Sequence, residues 1–389
     1  MTAAGRRHPE RRTVMLTGDL VIDRAEPGTA FDLVAGTLEQ ADVLFGNSEA
    51  AYTDRPTRVP GTGIRVVSDP RNVTALRPAG FDVVSCANNH MLDGGFAGLE
   101  DTLELLAAEG IATCGAGADL AAAHRPAIVD SDGVRIAFLA YTCVFPPGQQ
   151  AGPDVPGLAT LQTHVVFAND TEVAQSGALP DLRAIADPTA LDRLAADVVR
   201  AREVADAVVV SVHGGDGSRP SVLLDYERQF AHAAIDAGAL VYAGHHHHLL
   251  RGMERRGAGV IFYGLSHFVF DFPGIEEHLS AETLAMLRRR NGAYALGPRE
   301  GYPLLPMHPD ARMTGIALVE LDGSAVTCAG LVPCVLNPAG QPVPVDPGAE
   351  EGQQVAAYLR DLHRDEGLAG ELRVREATDG RPALVEVLA

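Results

Sequence analysis

At 389 residues the chain is long enough for one large or two ordinary domains, and its 46% apolar and 21% charged residues suit a protein with a sizeable buried core. Its 51 Asp and Glu against 31 Lys and Arg leave a net charge of −20, which excludes a general nucleic-acid-binding surface because phosphate backbones need a basic footprint. No apolar run approaches the roughly 18 residues of a membrane-spanning helix, so no membrane span is expected.

In chain order, residues 1–12 are basic and polar and read as a disordered tail, with no apolar stretch of signal-peptide length after them. Short Val/Ile/Leu/Phe-rich runs bounded by Gly, Asn or Asp then alternate with segments of helical spacing. Thr13–Thr17, Asp42–Phe45, Phe81–Cys86, Val134–Tyr141, Ala207–Val212 and Leu240–Ala243 read as strands. Phe31–Gln40, Gly95–Glu109, Thr189–Ala205 and Val222–Ala237 read as helices, with Asp187-Pro188 opening the third and Gly110 and Gly238 ending the second and fourth. Near-continuous apolar strands alternating with helices are the pattern of an α/β layered fold.

Three pairs of runs around tight turns read as antiparallel, so the sheets are expected to be mixed. They are Ala127–Val129 with Val134–Leu139, Leu250–Glu254 with Val260–Tyr263, and the two halves of Gly315–Leu331. Residues 146–188 are rich in Pro, Gly and polar residues and read as a lid or loop insertion in a main domain spanning 13–335. Residues 336–389 form a C-terminal extension expected to pack on that domain. It comprises a Pro-rich linker, a helix at Gln353–Glu366 and a strand or two within Glu371–Val387. The five cysteines are odd in number and include no CxxC pair, which points to reduced thiols in a cytoplasmic protein.

The informative feature is where the polar residues fall. Five of the strands close on a small residue followed by Asp, Glu, Asn or His: Gly18-Asp19, Gly46-Asn47-Ser48-Glu49, Ala87-Asn88-Asn89-His90, His213-Gly214-Gly215, and Gly244 with His245–His248. In open α/β sheets the ligand crevice lies beyond the carboxyl ends of the strands, so side chains distant in sequence would converge there. Carboxylates, imidazoles and an amide oxygen form a mixed N/O set suited to a divalent transition metal, one or two ions of Mn, Fe or Zn. Such ions activate water, and a neighbouring His can protonate a leaving group. Taken singly, each piece has a plainer role as a turn, a helix cap or a core histidine; their joint occurrence carries the reading.

These segments, with AGFDVVSCANNHMLD (79–93), SVHGG (211–215), AGHHHHLLRGME (243–254) and IFYGLSHFVFD (261–271), resemble the CapA family of poly-γ-glutamate capsule-synthesis proteins, itself similar to calcineurin-like metallophosphoesterases. The resemblance covers about residues 13–271. It implies a four-layer α/β/β/α sandwich with mixed sheets and a metal centre at the sheet edge. Asp19 would then hold one ion, Glu49 would bridge, Asn89, His213 and His246 would hold the second, and His248 would return to the first. His245 is the reserve ligand. His90 would be the acid/base histidine with Asp93 beside it as a further catalytic residue, and Arg24 and Arg65 match basic positions near the substrate. Three departures stand out: Val21 where metallophosphoesterases carry a His, Asp23 where Gly is usual, and His267 in place of Asn. The first leaves room for a mononuclear centre, and the last adds an imidazole counted here with the catalytic residues.

The sequence therefore predicts a soluble metal-dependent hydrolase acting on a phosphoester, ester or γ-glutamyl-like amide in a small-molecule or polymer substrate. The alternative is a non-catalytic metal-binding partner in polymer synthesis. Substrate and oligomeric state are not legible.

Overall fold

Successive residues of the central strands belong to different cores, which is how the period-two alternation of side chains builds layers. In strand β1 (Arg11–Val21), Val14 and Leu16 join one apolar cluster and Met15 another; in β2 (Val43–Ser48), Val43 and Phe45 are set against Leu44. The computed structural model describes residues 11–57, 63–168, 181–378 and 380–388. Most of the expected N-terminal tail, residues 1–10, lies outside these, while Arg11 and Arg12 already belong to β1.

β1 and β2 run parallel to β3 (Phe81–Ser85) and β4 (Ala112–Cys114) as one half of the first sheet. The chain then builds a second sheet from β5 (Ala127–Ser131), β6 (Val134–Thr142), β7 (Ala207–His213), β8 (Val241–His245), β9 (Met253–Arg256) and β10 (Gly259–Phe262). Their spatial order is β9-β10-β8-β7-β6-β5, parallel except at its two edges. Back in the first sheet, β11 (His267–Phe270) pairs parallel with the end of β1. β12 (Met313–Asp322), β13 (Ala325–Leu336), β14 (Pro342–Pro344), β15 (Glu371–Arg375) and β16 (Leu384–Leu388) complete its antiparallel half, giving the order β15-β16-β13-β12-β1-β2-β3-β4.

The inter-sheet core sets Leu16, Phe45 and Val83 against Phe138, Val209 and Val241, with the Phe45 and Phe138 rings stacked at 5.5 Å. Burying each of these rings stabilises the fold by roughly 1.5–3 kcal/mol. Outside the first sheet, helix α1 (Gly95–Ala108) buries Leu99 and Leu106; outside the second, α2 (Pro188–Arg202) and α3 (Asp225–Asp236) bury Leu194, Val198 and Phe230. Asp187 caps α2 by accepting the Ala190 N–H at 3.0 Å. The architecture is thus the four-layer α/β/β/α sandwich with mixed sheets.

Two expectations need redrawing, and two further segments complete the fold. Phe31–Gln40 holds only the end of a 3-10 turn at Pro27–Phe31 and one α-turn at Ala35–Leu38, a turn that contains two poor helix formers, Gly36 and Thr37, and extends no further. The insertion at 146–188 is more than a loop. Gly157–Leu158 pairs with Ala116–Gly117, and Thr163–Ala168 with Asp181–Ala186, in each case antiparallel. The 336–389 segment supplies sheet strands, and its helix α4 (Glu350–Asp365) buries Val355, Leu359 and Leu362 in the inter-sheet core. Finally, residues 272–312, for which the sequence suggested nothing, form a helical turn at Ile275–His278, a helix at Ala281–Asn291 and a 3-10 turn at Pro309–Arg312.

Candidate metal centre and its cavity

Asp19 reaches the carboxyl edge of the first sheet because β1 is irregular there. Its register with β2 slips between Leu16 and Asp19, and its register with β11 slips between Asp19 and Leu20. Such bulges re-aim a side chain beside a site. Gly18 is required for it: a Cβ there would lie 2.2 Å from the Ser266 carbonyl oxygen, the atom that accepts the Asp19 N–H at 3.1 Å. Glu49 follows β2, Asn89 and His90 follow β3, and His213 ends β7 in the opposite sheet. The run His245–His248 leaves β8 with His246 at φ 89° and His248 at φ 53°, unusual for residues bearing a side chain. Backbone held in this region is concentrated at functional sites.

Two groups of side chains meet at this edge and share Glu49. In one, ligand-type atoms of Glu49, His213 and His246 lie within 4.8 Å of one another; in the other, those of Asp19, Glu49 and His248 do. Glu49 Oε1 stands 3.3 Å from His213 Nε2, and Asp19 Oδ2 stands 3.4 Å from His248 Nδ1. Asn89 Oδ1 adds an oxygen 2.7 Å from His213 Nε2. Both carboxylate oxygens of Glu49 are buried without a hydrogen-bond partner among the described residues. Burial pushes the Glu49 carboxyl up to about 7, and burial with the neighbouring Glu49 charge pushes Asp19 well up. Burial also holds His213, His246 and His248 well below the ordinary imidazole value, so they stay neutral, the form that binds metals. Buried carboxylates crowded among neutral imidazoles, with lone pairs unmet, fit a divalent cation by chemistry as well as by distance.

A supporting layer fixes these groups. Asn47 Nδ2 donates to Asp19 Oδ1 at 2.8 Å, and Asn88 Nδ2 donates to the Ser48 carbonyl at 2.8 Å. The other two histidines of the run point elsewhere. His245 is buried between the sheets, its nitrogens 3.2 Å from Ser211 Oγ and 3.3 Å from the Thr17 carbonyl oxygen. His247 pairs with Glu227 of α3 at 2.6 Å and lies under the loop that follows His213. A Cβ on Gly215, whose φ is +109°, would fall 2.0 Å from His247 Nε2, and one on Gly217 would fall 2.6 Å from the His247 carbonyl oxygen. The fully buried Arg251 holds the same loop by donating to the carbonyls of Asp216 at 2.5 Å and Arg219 at 2.7 Å. Glu227 and Arg251 did not stand out in the sequence, whereas Asn47 and Asn88 lay within the polar strand ends already noted but were given no role of their own.

A cavity of about 770 Å³ opens from this edge, lined at its polar end by Asn89, His90, His246 and His248. His90 Nδ1 is tied to Asp93 Oδ2 at 2.7 Å, leaving Nε2 as the nitrogen available to a substrate. Burial alone would lower His90, but the hydrogen bond and charge of Asp93, with Glu49 and Asp19 behind, outweigh it and raise its pKa.

Four expected roles change. Asp93 does not line the cavity; it orients His90 and accepts the Val66 N–H at 2.7 Å, so it is a positioning residue. His267 lies beside His248, ring to ring at 5.6 Å, but is fully buried and does not line the cavity, which removes it from direct proton transfer to a substrate there. Burial pushes His267 down to about 3. Arg24 is engaged by Asp271 in a bidentate pair at 2.7 and 2.5 Å, and Arg65 donates to the Asp93 carbonyl at 3.0 and 2.7 Å. Neither arginine lines the cavity, nor does any described residue of 146–188.

The sequence model of "Bacterial capsule synthesis protein PGA_cap" matches residues 13–272. The PGA biosynthesis protein CapA of Bacillus subtilis is 31% identical over 269 residues, 68% of this chain and 60% of that protein. The capsule biosynthesis protein CapA of Bacillus anthracis is 28% identical over 68% of this chain and 61% of its own length. A "probable polyglutamine synthesis accessory protein" of Mycobacterium tuberculosis is 34% identical over 65% and 59%. The chain therefore spans about three-fifths of the length of these relatives. The solved calcineurin-like phosphoesterase YfkN from Bacillus subtilis aligns with 92% of the chain at 12% identity and a TM-score of 0.37, too distant a likeness to bear on function. With the family model covering two-thirds of its residues, the chain belongs to the bacterial capsule synthesis family PGA_cap, the family of CapA.

Proposed function

We propose that the protein is a metal-dependent hydrolase that cleaves a phosphoester, ester or amide at the sheet edge. The observation that carries this reading is Glu49, whose two buried carboxylate oxygens lack partners and which belongs to both ligand groups. Asp19 and His248 would hold one divalent ion of Mn, Fe or Zn, and His213, His246 and Asn89 a second, with Glu49 between them. Such ions supply Lewis-acid polarisation and a lowered pKa for bound water. The chain's own part is then positional and protic. Asn47 and Asn88 keep the carboxylates in place, and the neutral histidines present ring nitrogens without competing protons. His90, oriented through Nδ1 by Asp93, delivers a proton from Nε2 to the departing oxygen or nitrogen.

A second reading is favoured by the names of the relatives, one of which is described as a synthesis accessory protein. In it the metal centre is structural and the chain assists polymer synthesis without turnover. The two separate on metal content followed by assays with aryl phosphates and γ-glutamyl amides. The hydrolase reading expects turnover of at least one class that His90→Ala abolishes while metal content stays unchanged. Bound metal with no turnover of either class would hand the site to the accessory reading.

A further inference from the structure

The cavity is most polar where it meets the ligand edge. The polar residues there are Asn89, His90, His246, His247 and His248 and the loop of residues 215–219, and two more, Arg290 and Asn291, lie on the opposite wall. Within that loop Asp216 and Arg219 pair with each other at 2.8 Å, so their charges are mutually satisfied. Apart from Arg290 and Asn291, the remaining wall is apolar, built mainly from Phe270, Phe272, Leu287, Tyr294, Leu296 and Met307. All but the first of these come from the 272–312 excursion. Arg290 is the one cavity cation without an ion-pair partner among the described residues, and the protein as a whole carries a charge of −20.

A γ-glutamyl polymer brings a carboxylate with every residue, and these would meet an apolar wall and a single free guanidinium. Burying charges against apolar side chains without partners is strongly unfavourable. An aryl or alkyl group, by contrast, gains from every square ångström it removes from water. A volume of about 770 Å³ lies within the range of sites that enclose most of a small ligand. We propose that the cavity selects a substrate whose reacting bond carries an aryl or alkyl group, seated against the 272–312 wall, rather than a polyanionic chain. The inference rests on the metal-centre reading for the location of the reacting bond, and adds to it the class of group held beside that bond.

Phosphonates test it without turnover, because each presents the same anion to the metal centre on a different tail. Calorimetric titration of the metal-loaded protein would compare methyl-, butyl- and benzylphosphonate. Affinity should rise along the series, with benzylphosphonate binding about tenfold or more tighter than methylphosphonate. Leu287→Gln and Leu296→Gln change half-buried wall positions without adding charge and should each shrink that ratio to below about threefold, with metal content unchanged. Equal affinity for the three tails would overturn the proposal and leave the metal centre standing. Failure to hold metal, or to bind even methylphosphonate when metal is held, would overturn the metal-centre reading and this proposal with it.

Discussion

The two sides of the cavity are built by different means. On one, Asp19, Glu49, Asn89, His213, His246 and His248 come together because strand pairing delivers the carboxyl ends of two sheets to one edge. On the other, Phe272, Leu287, Tyr294, Leu296 and Met307 come from a stretch of turns and one helix that pairs with no strand. The first side can hold its side chains in place because they sit at or just beyond ladder ends, with Asn47 bonded to Asp19 and beside His213. The second is free to vary in shape, since no register depends on it. On the proposed reading, reaction chemistry is lodged in the regular part of the fold and selectivity in the irregular part.

That division is broken most directly at Glu49. Glu49→Ala should reduce affinity for divalent metal by more than about a hundredfold, because loss of mere ligand-orienting neighbours already costs 10–100-fold. The check is metal content after dialysis at matched concentration. Retention of metal at the parent level would mean that the sheet edge is not the centre. His90→Ala should instead leave metal content intact and lower kcat by about 10²–10⁴-fold on any substrate the protein turns over. A matching loss of metal would move His90 into the ligand set.

Gly215 sharpens the comparison, because it lies on the regular side yet lines the cavity. With φ at +109° and His247 Nε2 2.0 Å from where a Cβ would sit, Gly215→Ala must displace the 215–219 loop. Strain of this kind costs on the order of 1–3 kcal/mol. The expected outcome is a rise of roughly tenfold in KM with kcat and metal content nearly unchanged, since the loop touches the cavity and not the ligands. An equal fall in kcat would show that His247 and its loop act on the reacting bond itself.

The same contrast explains what the sequence disclosed. The layered fold was legible because strands buried on both faces, such as Ala207–His213, are nearly continuous apolar runs, and the candidate ligands were proposed because each follows the end of such a strand. The histidine run was only partly so. Four identical residues carry no sign of direction, and the alternation arises from the end of β8 at His245 and the left-handed backbone at His246 and His248. Arg24 misled because a charge does not announce its partner: Asp271 engages it from 247 positions away. Residues 272–312 were silent because their apolar residues follow neither a helical nor a strand period. Such a wall is assembled by tertiary packing alone.

Glu366 stands behind both sides and gives the smallest expected effect, on stability rather than activity. Its Oε2 accepts the Gly252 N–H at 3.0 Å, one residue from the Arg251 that braces the 215–219 loop. Burial pushes its carboxyl up to about 7, against the opposing pull of Arg251 and that hydrogen bond. A carboxyl raised on folding stabilises the protonated folded state. Its contribution is therefore full below the unfolded value near 4.5 and is lost as pH rises through about 7. Glu366→Gln keeps an oxygen for Gly252 and removes the titration. The parent protein should lose on the order of 1–3 kcal/mol more stability than the variant between about pH 5 and pH 8. Denaturant midpoints of the two proteins across that interval decide it. Parallel curves would mean that the Arg251 guanidinium already compensates the Glu366 charge in full, making the loop's brace an ion pair at neutral pH.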